Sequence, residues 1–138
     1  MKKALFATAA VFLLTGCVTQ QQADIKMAEG CAAGIQSLIS PKEIKEVKTK
    51  NFSDEQVEGG LHRRVTLGIV EKDGWAEYDK EYSCLFMQDW GLFKMSHRAL
   101  LVQVKIDDDV YGKKDGTILG NMQDFLKLTN VVDGAMAQ

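Results

Sequence analysis

With 138 residues, 46% hydrophobic and 26% charged, the chain has the size of one globular domain with a modest core. Its net charge of −2, from 17 Lys+Arg against 19 Asp+Glu, excludes the basic footprint of a nucleic-acid binder and a polybasic grip on anionic lipid. No catalytic signature of the GxSxG, HExxH, GxGxxG or GxxxxGK[ST] type occurs.

Lys2 and Lys3 stand before an uncharged apolar run, Ala4 to Leu14. That run has the length of a signal-peptide core. It is shorter than the ~20 apolar residues a membrane span needs. It closes on Leu14-Thr15-Gly16-Cys17. Basic start, short apolar core, small residues and then cysteine together resemble the lipobox of bacterial lipoprotein precursors. The resemblance covers residues 1–17 alone. It implies lipidation of the Cys17 sulfur, cleavage before Cys17 and acylation of the new N-terminus, with palmitate among the chains. Each buried CH₂ contributes about 0.8 kcal/mol, and stable attachment takes more than one chain. The competing reading is an ordinary signal peptide with an incidental cysteine. Val18 follows the cysteine where aspartate would mark retention at the inner membrane. In a Gram-negative source the resemblance thus implies the inner leaflet of the outer membrane, facing the periplasm. The expected division is a signal peptide over 1–16, a lipidated tether over 17–23, one α+β domain over 24–134 and a frayed tail over 135–138.

With Cys17 given to lipid, Cys31 and Cys84 remain. An even pair in an exported chain reads as a disulfide. Closing that loop would stabilise the fold by about 4 kcal/mol on the chain-entropy model. Two free buried thiols are the alternative.

The first predicted helix starts at Asp24 or just before it and ends at Ser40-Pro41, because proline pushes its predecessor out of the helical region. Ile25, Ala28, Ala32, Ile35 and Ile39 are spaced to share a face, and Met27, Cys31 and Leu38 widen it. Small residues at Ala28, Ala32, Ala33 and Gly34 allow a close approach to a partner. Glu43 to Phe52 reads as a first strand or extended edge, and Ser53 to Gly60 as a polar loop. Leu61 to Glu71 is the clearest strand, with Val65, Leu67 and Ile69 alternating against Arg64, Thr66 and Gly68. Asp73-Gly74 marks a hairpin. Trp75 to Met87 returns with Ala76, Tyr78, Tyr82, Cys84 and Phe86 on one face, so Cys84 points inward. Gln88 to Gly91 reads as a turn. Leu92 to Ile106 reads as a long strand with Leu100, Val102, Val104 and Ile106 on one face and a bulge near Ala99, with a helical turn through Met95 to Ala99 as the alternative. Asp107 to Gly116 reads as a charged loop. A last helix is expected from Thr117 to Asp133, capped by Asp115 or Thr117 and ended by Gly134.

The fold class is therefore α+β: an N-terminal helix on an antiparallel sheet of about four strands, followed by a C-terminal helix. Over residues 24–106 this order resembles the cystatin-like arrangement, in topology alone and without a motif.

Candidate sites are few. Asp107, Asp109 and Asp115 invite a calcium reading, but Tyr111 and Ile118 stand where an EF-hand needs oxygen ligands, and Lys113 and Lys114 add positive charge. The preferred reading is a solvated turn with no metal and no cofactor. His62 and His97 read as surface or interface histidines, and Ser96-His97 as sequence neighbours facing opposite ways. Glu77, Asp79 and Glu81 with Lys80 could flank a cleft, but a solvated sheet face explains them. Trp75, Trp90, Phe93 and Tyr111 form the possible binding surface. The functional expectation is a non-enzymatic envelope lipoprotein. It would be held to the membrane by lipid on Cys17 and would bind an unknown envelope protein as an assembly accessory, inhibitor or exclusion factor, without nucleic acid. A carrier of a lipid or small molecule is the second reading, and a hydrolase the third.

Overall fold

The computed structural model describes residues 17–57 and 60–137; the expected signal segment 1–16, with most of the lipobox-like stretch, lies outside them. Within them the chain runs α1 (Gln20–Ile39), β1 (Glu43–Val57), β2 (Gly60–Asp73), β3 (Ala76–Trp90), a short 3-10 turn (Leu92–Lys94), β4 (His97–Ile106), β5 (Asp109–Lys114), β6 (Thr117–Leu119) and α2 (Met122–Met136). The six strands form one antiparallel sheet in chain order.

The α+β class and the helix order are as expected, but there are six strands rather than four. The region 107–119 is the reason. Asp107 and Asp115 adopt left-handed backbone (φ +52° and +51°), and Gly116 follows at +78°. These are hairpin-turn geometries, and short polar residues and glycine tolerate them. The expected charged loop is thus strand β5 between two turns, and the expected first turn of the last helix is strand β6. Asn121, not Asp115 or Thr117, caps α2: its Oδ1 accepts from the Gln123 amide at 2.8 Å. Gly134 lies inside α2, which continues to Met136, so the first two residues of the expected frayed tail are helical.

Helix α1 begins at Gln20, inside the expected tether. The start is a capping box. Thr19 Oγ1 accepts from the Gln22 amide at 3.2 Å, and Gln22 Oε1 accepts from the Thr19 amide at 3.0 Å. The expected 53–60 loop is mostly strand: β1 stays paired through Val57. The expected turn at 88–91 also pairs, Gln88 with Ala99 and Trp90 with His97.

Two partners cover α1. Its first buried side meets the sheet, where Val65, Leu67, Ile69, Tyr82, Phe86, Leu101 and Val104 pack with Met27, Cys31 and Ile35. The Cys31–Cys84 disulfide crosses that interface with a Cα–Cα distance of 5.7 Å. The second buried side carries Gly30 and Gly34 and meets α2. A Cβ on Gly34 would stand 2.9 Å from Val132 Cγ2, and one on Gly30 would stand 2.7 Å from Met136 Cγ. Burial therefore rotates away from the expected stripe: Ile25 is exposed and Ala32 only half-buried. Gly34→Val should destabilise the fold by about 1–3 kcal/mol, since Val132 is a stiff β-branched residue that cannot yield. Urea unfolding of the two proteins checks this.

The parity of β4 is as expected at Val104 and Ile106 and reversed before them. Leu85 pairs with Gln103 and Phe86 with Leu101, which leaves Val102 as the extra residue of a bulge. The bulge sits at Val102 rather than near Ala99. Leu101 and Val104 point into the core, and Leu100 is exposed on the other face.

Candidate functional site

At the start of α1 a polar network closes one end of the core. Arg63 lies on β2 with the parity of Val65 and Leu67, so its guanidinium faces the helix. It forks onto Asp24, with Nε to Oδ1 at 3.0 Å and Nη2 to Oδ2 at 2.7 Å, and its Nη1 donates to Asp54 at 3.0 Å. Asp24 and then Asp54 raise the Arg63 pKa, against burial, which lowers it. Gln20 Nε2 donates to Asp24 at 2.9 Å and to Gln88 Oε1 at 3.1 Å. His97 Nε2 shares that Gln88 oxygen at 2.9 Å and its ring tilts against Trp90, centroids 4.5 Å apart. The Lys94 ammonium lies 5.7 Å from the Trp90 ring centroid.

Burial lowers the His97 pKa; Asp24 opposes the shift and Lys26 adds to it. The unfolded chain then binds the proton more tightly than the folded one. Stability should fall as pH drops from about 7.5 to about 5, through the unfolded value near 6.5 and toward the lower folded value. The His97→Gln variant should lose that part of the slope, as urea midpoints at the two pH values will show.

A second buried ionic group, Glu71, sits at the far end of the inner face. It accepts from the Tyr82 hydroxyl and pairs with Lys42 at 3.3 Å. Burial, reinforced by Glu71, pushes the Tyr82 hydroxyl pKa well up.

The outer face is laced with ion pairs. Lys45 and Lys48 are the extra residues at two irregularities of β1, and they reach Glu77 at 2.6 Å and Asp79 at 3.5 Å. Arg64 holds Glu55 with Nη2 to Oε1 at 3.0 Å and keeps its carboxyl pKa below the usual value. Bulges and lysines on a sheet edge discourage strand addition, so β1, the longer of the two edges, is guarded.

The structure places the candidate residues apart. Trp75 is fully exposed at the tip of the β2–β3 hairpin, a two-residue loop with Gly74 first (φ +61°). Trp90 and Phe93 lie at the other end of β3; Trp90 is half-buried and Phe93 is 85% exposed. Tyr111 stands on β5 opposite Val104. Glu77 and Asp79 are bound up with lysines. Asp107 lies in the turn before β5, Asp109 is the first residue of β5, and Asp115 lies in the turn at its other end. Among the described residues no group of three or more histidine, cysteine, aspartate or glutamate side chains is placed to hold a metal ion. His62 is buried, not at the surface, with Nδ1 2.9 Å from the Gly60 carbonyl. Neither histidine makes a hydrogen bond to a carboxylate or a hydroxyl in these networks.

Residue reading missed the Asp24–Arg63 fork. The signal was present: Arg63 has inward parity on the clearest strand, and an inward arginine needs a buried acid. In the loop after Trp90 residue reading picked out Phe93 but not its neighbours Leu92 and Met95; the three are 85%, 83% and 67% exposed. The Val18 amide donates to the Lys94 carbonyl at 2.8 Å, so Cys17 starts beside that loop. Cys17 is an exposed free thiol.

Among the described residues no helix is long and apolar enough to cross a membrane. The chain matches no family model, no curated protein and no solved structure.

Proposed function

We propose that this chain is a lipid-anchored envelope module that binds another protein at the end of the sheet distal to its anchor. One observation carries the reading. The Val18–Lys94 hydrogen bond fixes Cys17 at one end of β3, while the fully exposed Trp75 stands at the other. A strand of 15 residues at about 3.3 Å per residue separates the ends by roughly 45–50 Å. Acylation of Cys17 would hold one end at the membrane and present Trp75 well clear of it. Tryptophan is among the residues that most often anchor protein interfaces, and anchoring raises effective concentration for a partner in the same envelope.

A carrier of a small molecule would want an enclosed cavity beside the last helix. That space is filled by the close approach of Gly34 to Val132 and Leu128. Depressions of about 320, 290 and 200 Å³ lie against strand residues and are open to solvent. This favours the protein-binding reading.

A photo-crosslinker at position 75 in intact cells tests it. Crosslinks to a defined envelope protein are expected, and Trp75→Ala should abolish that protein's co-purification while changing stability by less than about 0.5 kcal/mol. Unchanged co-purification would reject the tip as the contact. A Cys17→Ala chain that still fractionates with membranes would reject the lipid anchor.

A further inference from the structure

We infer that the loop Leu92–Met95 is a membrane-inserting element that docks the anchored domain onto the phospholipid surface; this rests on the lipid-anchor reading of Cys17. Leu92, Phe93 and Met95 are three large apolar side chains, each at least two-thirds exposed, within four consecutive residues. Clustered exposure of this kind marks an interaction site. Its position selects the occupant. The Val18 amide is bound to the carbonyl of Lys94 in the middle of the loop. Acyl chains on Cys17 would therefore enter the bilayer beside Phe93, and the loop would meet the same surface.

The loop's construction fits that destination. Part of its backbone is bonded internally: Gly91 N to Ser96 O at 3.0 Å, Lys94 N to Gly91 O at 3.0 Å and Met95 N to Leu92 O at 3.1 Å. Backbone entering a lipid interface needs such internal partners. Phe93 and Lys94 both hold left-handed backbone at φ +56°, a conformation that non-glycine residues keep only where the surroundings impose it. Trp90 and Lys94, 5.7 Å apart, form an amphipathic aromatic and a cation just behind the apolar tip. Aromatic rings and lysine stems of this kind settle at headgroup level. The loop is a second contact that fixes the tilt of the domain and points Trp75 away from the membrane.

The disulfide makes a clean test. In the acylated chain Cys17 carries lipid and Cys31 and Cys84 are bridged, so an introduced cysteine is the only thiol that takes a label. Full-length Phe93→Cys and Leu92→Cys chains, exported and labelled with an environment-sensitive NBD dye, are reconstituted in phosphatidylethanolamine–phosphatidylglycerol vesicles. Trp75→Cys is the distal control. Expected is a blue-shifted, several-fold brighter emission at positions 92 and 93, quenched by doxyl-labelled lipid, with water-like emission at 75. Water-like emission at both loop positions overturns the proposal. A blue shift without lipid quenching also overturns it, assigning the loop to a protein contact. Labelling of Cys17 in the otherwise unaltered chain rejects the anchor reading itself, and the loop proposal falls with it.

Discussion

The Cys31→Ala, Cys84→Ala double variant is expected to be less stable than the oxidised protein by about 3–4 kcal/mol. The bridge spans a sequence separation of 53 and ties α1 to the third of six strands. Loop closure alone contributes about 4 kcal/mol on the chain-entropy model, an upper value because unfolded chains retain structure. Both sulfurs are fully buried, between Met27 and Ile35 on the helix and the strand neighbours Val65 and Val104. Alanine there removes packing as well as the constraint. For a domain of this size the loss corresponds to a fall in melting temperature of about 10–20 °C. Thermal melts of the wild-type chain with and without reductant, beside the double variant, check it. Equal midpoints for oxidised and reduced protein would mean that the helix–sheet interface holds without the bridge. Because the sulfurs are buried, reduction of the folded chain should also be slow, and its rate should follow opening of α1 from the sheet.

The same bridge shows what residue patterns carry and where they stop. Cys84 has inward parity between Tyr82 and Phe86, and Cys31 lies one helical turn from Met27 and Ile35; both periodicities are local, and both hold in three dimensions. Local patterns failed where geometry depends on an inserted residue or a distant partner. Val102 is an extra residue, and one extra residue turns every later side chain of a strand over; alternation at Leu100 and Val102 was real in the sequence and misleading in the sheet. The hairpin β5–β6 was legible in principle. Asp115-Gly116 is the same dipeptide signal as Asp73-Gly74, but it stands among lysines and aspartates with only Ile118 and Leu119 to mark a strand. At the tip of β2–β3 the signal named the right hairpin one residue early, since Asp73 pairs with Ala76 and the loop is Gly74-Trp75. The apolar stripe on α1 predicts one partner, whereas α1 has two. Gly30 and Gly34 make sense only once Val132 is opposite them. The exposed loop at Leu92–Met95 reads as strand in the sequence because apolar residues there look alike whether they face a core or solvent.

Arg63→Ala is expected to cost about 3–5 kcal/mol, the range for breaking a buried ion pair from one side. Arg63 and Asp24 side chains retain only 14% and 10% of their exposure, and the fork between them spans α1 and β2. Removing the guanidinium leaves the Asp24 carboxylate in a nearly dry site with the Gln20 amide as its remaining side-chain donor. One neutral donor does not replace a bidentate cation. The alkyl stem of Arg63 is lost too, together with its guanidinium 5.8 Å from the Phe52 ring centroid. The informative comparison is with Asp24→Leu combined with Arg63→Met. Filling both positions with apolar groups of similar size should be near neutral or stabilising, since the pair's desolvation cost disappears with it. Urea unfolding of both single variants and the double variant gives the coupling directly. If the double variant is as unstable as either single variant, the ion pair contributes net stability. If it recovers, the fork serves to set the register of the start of α1 against β2. That outcome would matter for the Cys17 end of the domain, because Gln20, Gln88 and His97 continue the same network to Trp90 and the loop that holds Val18.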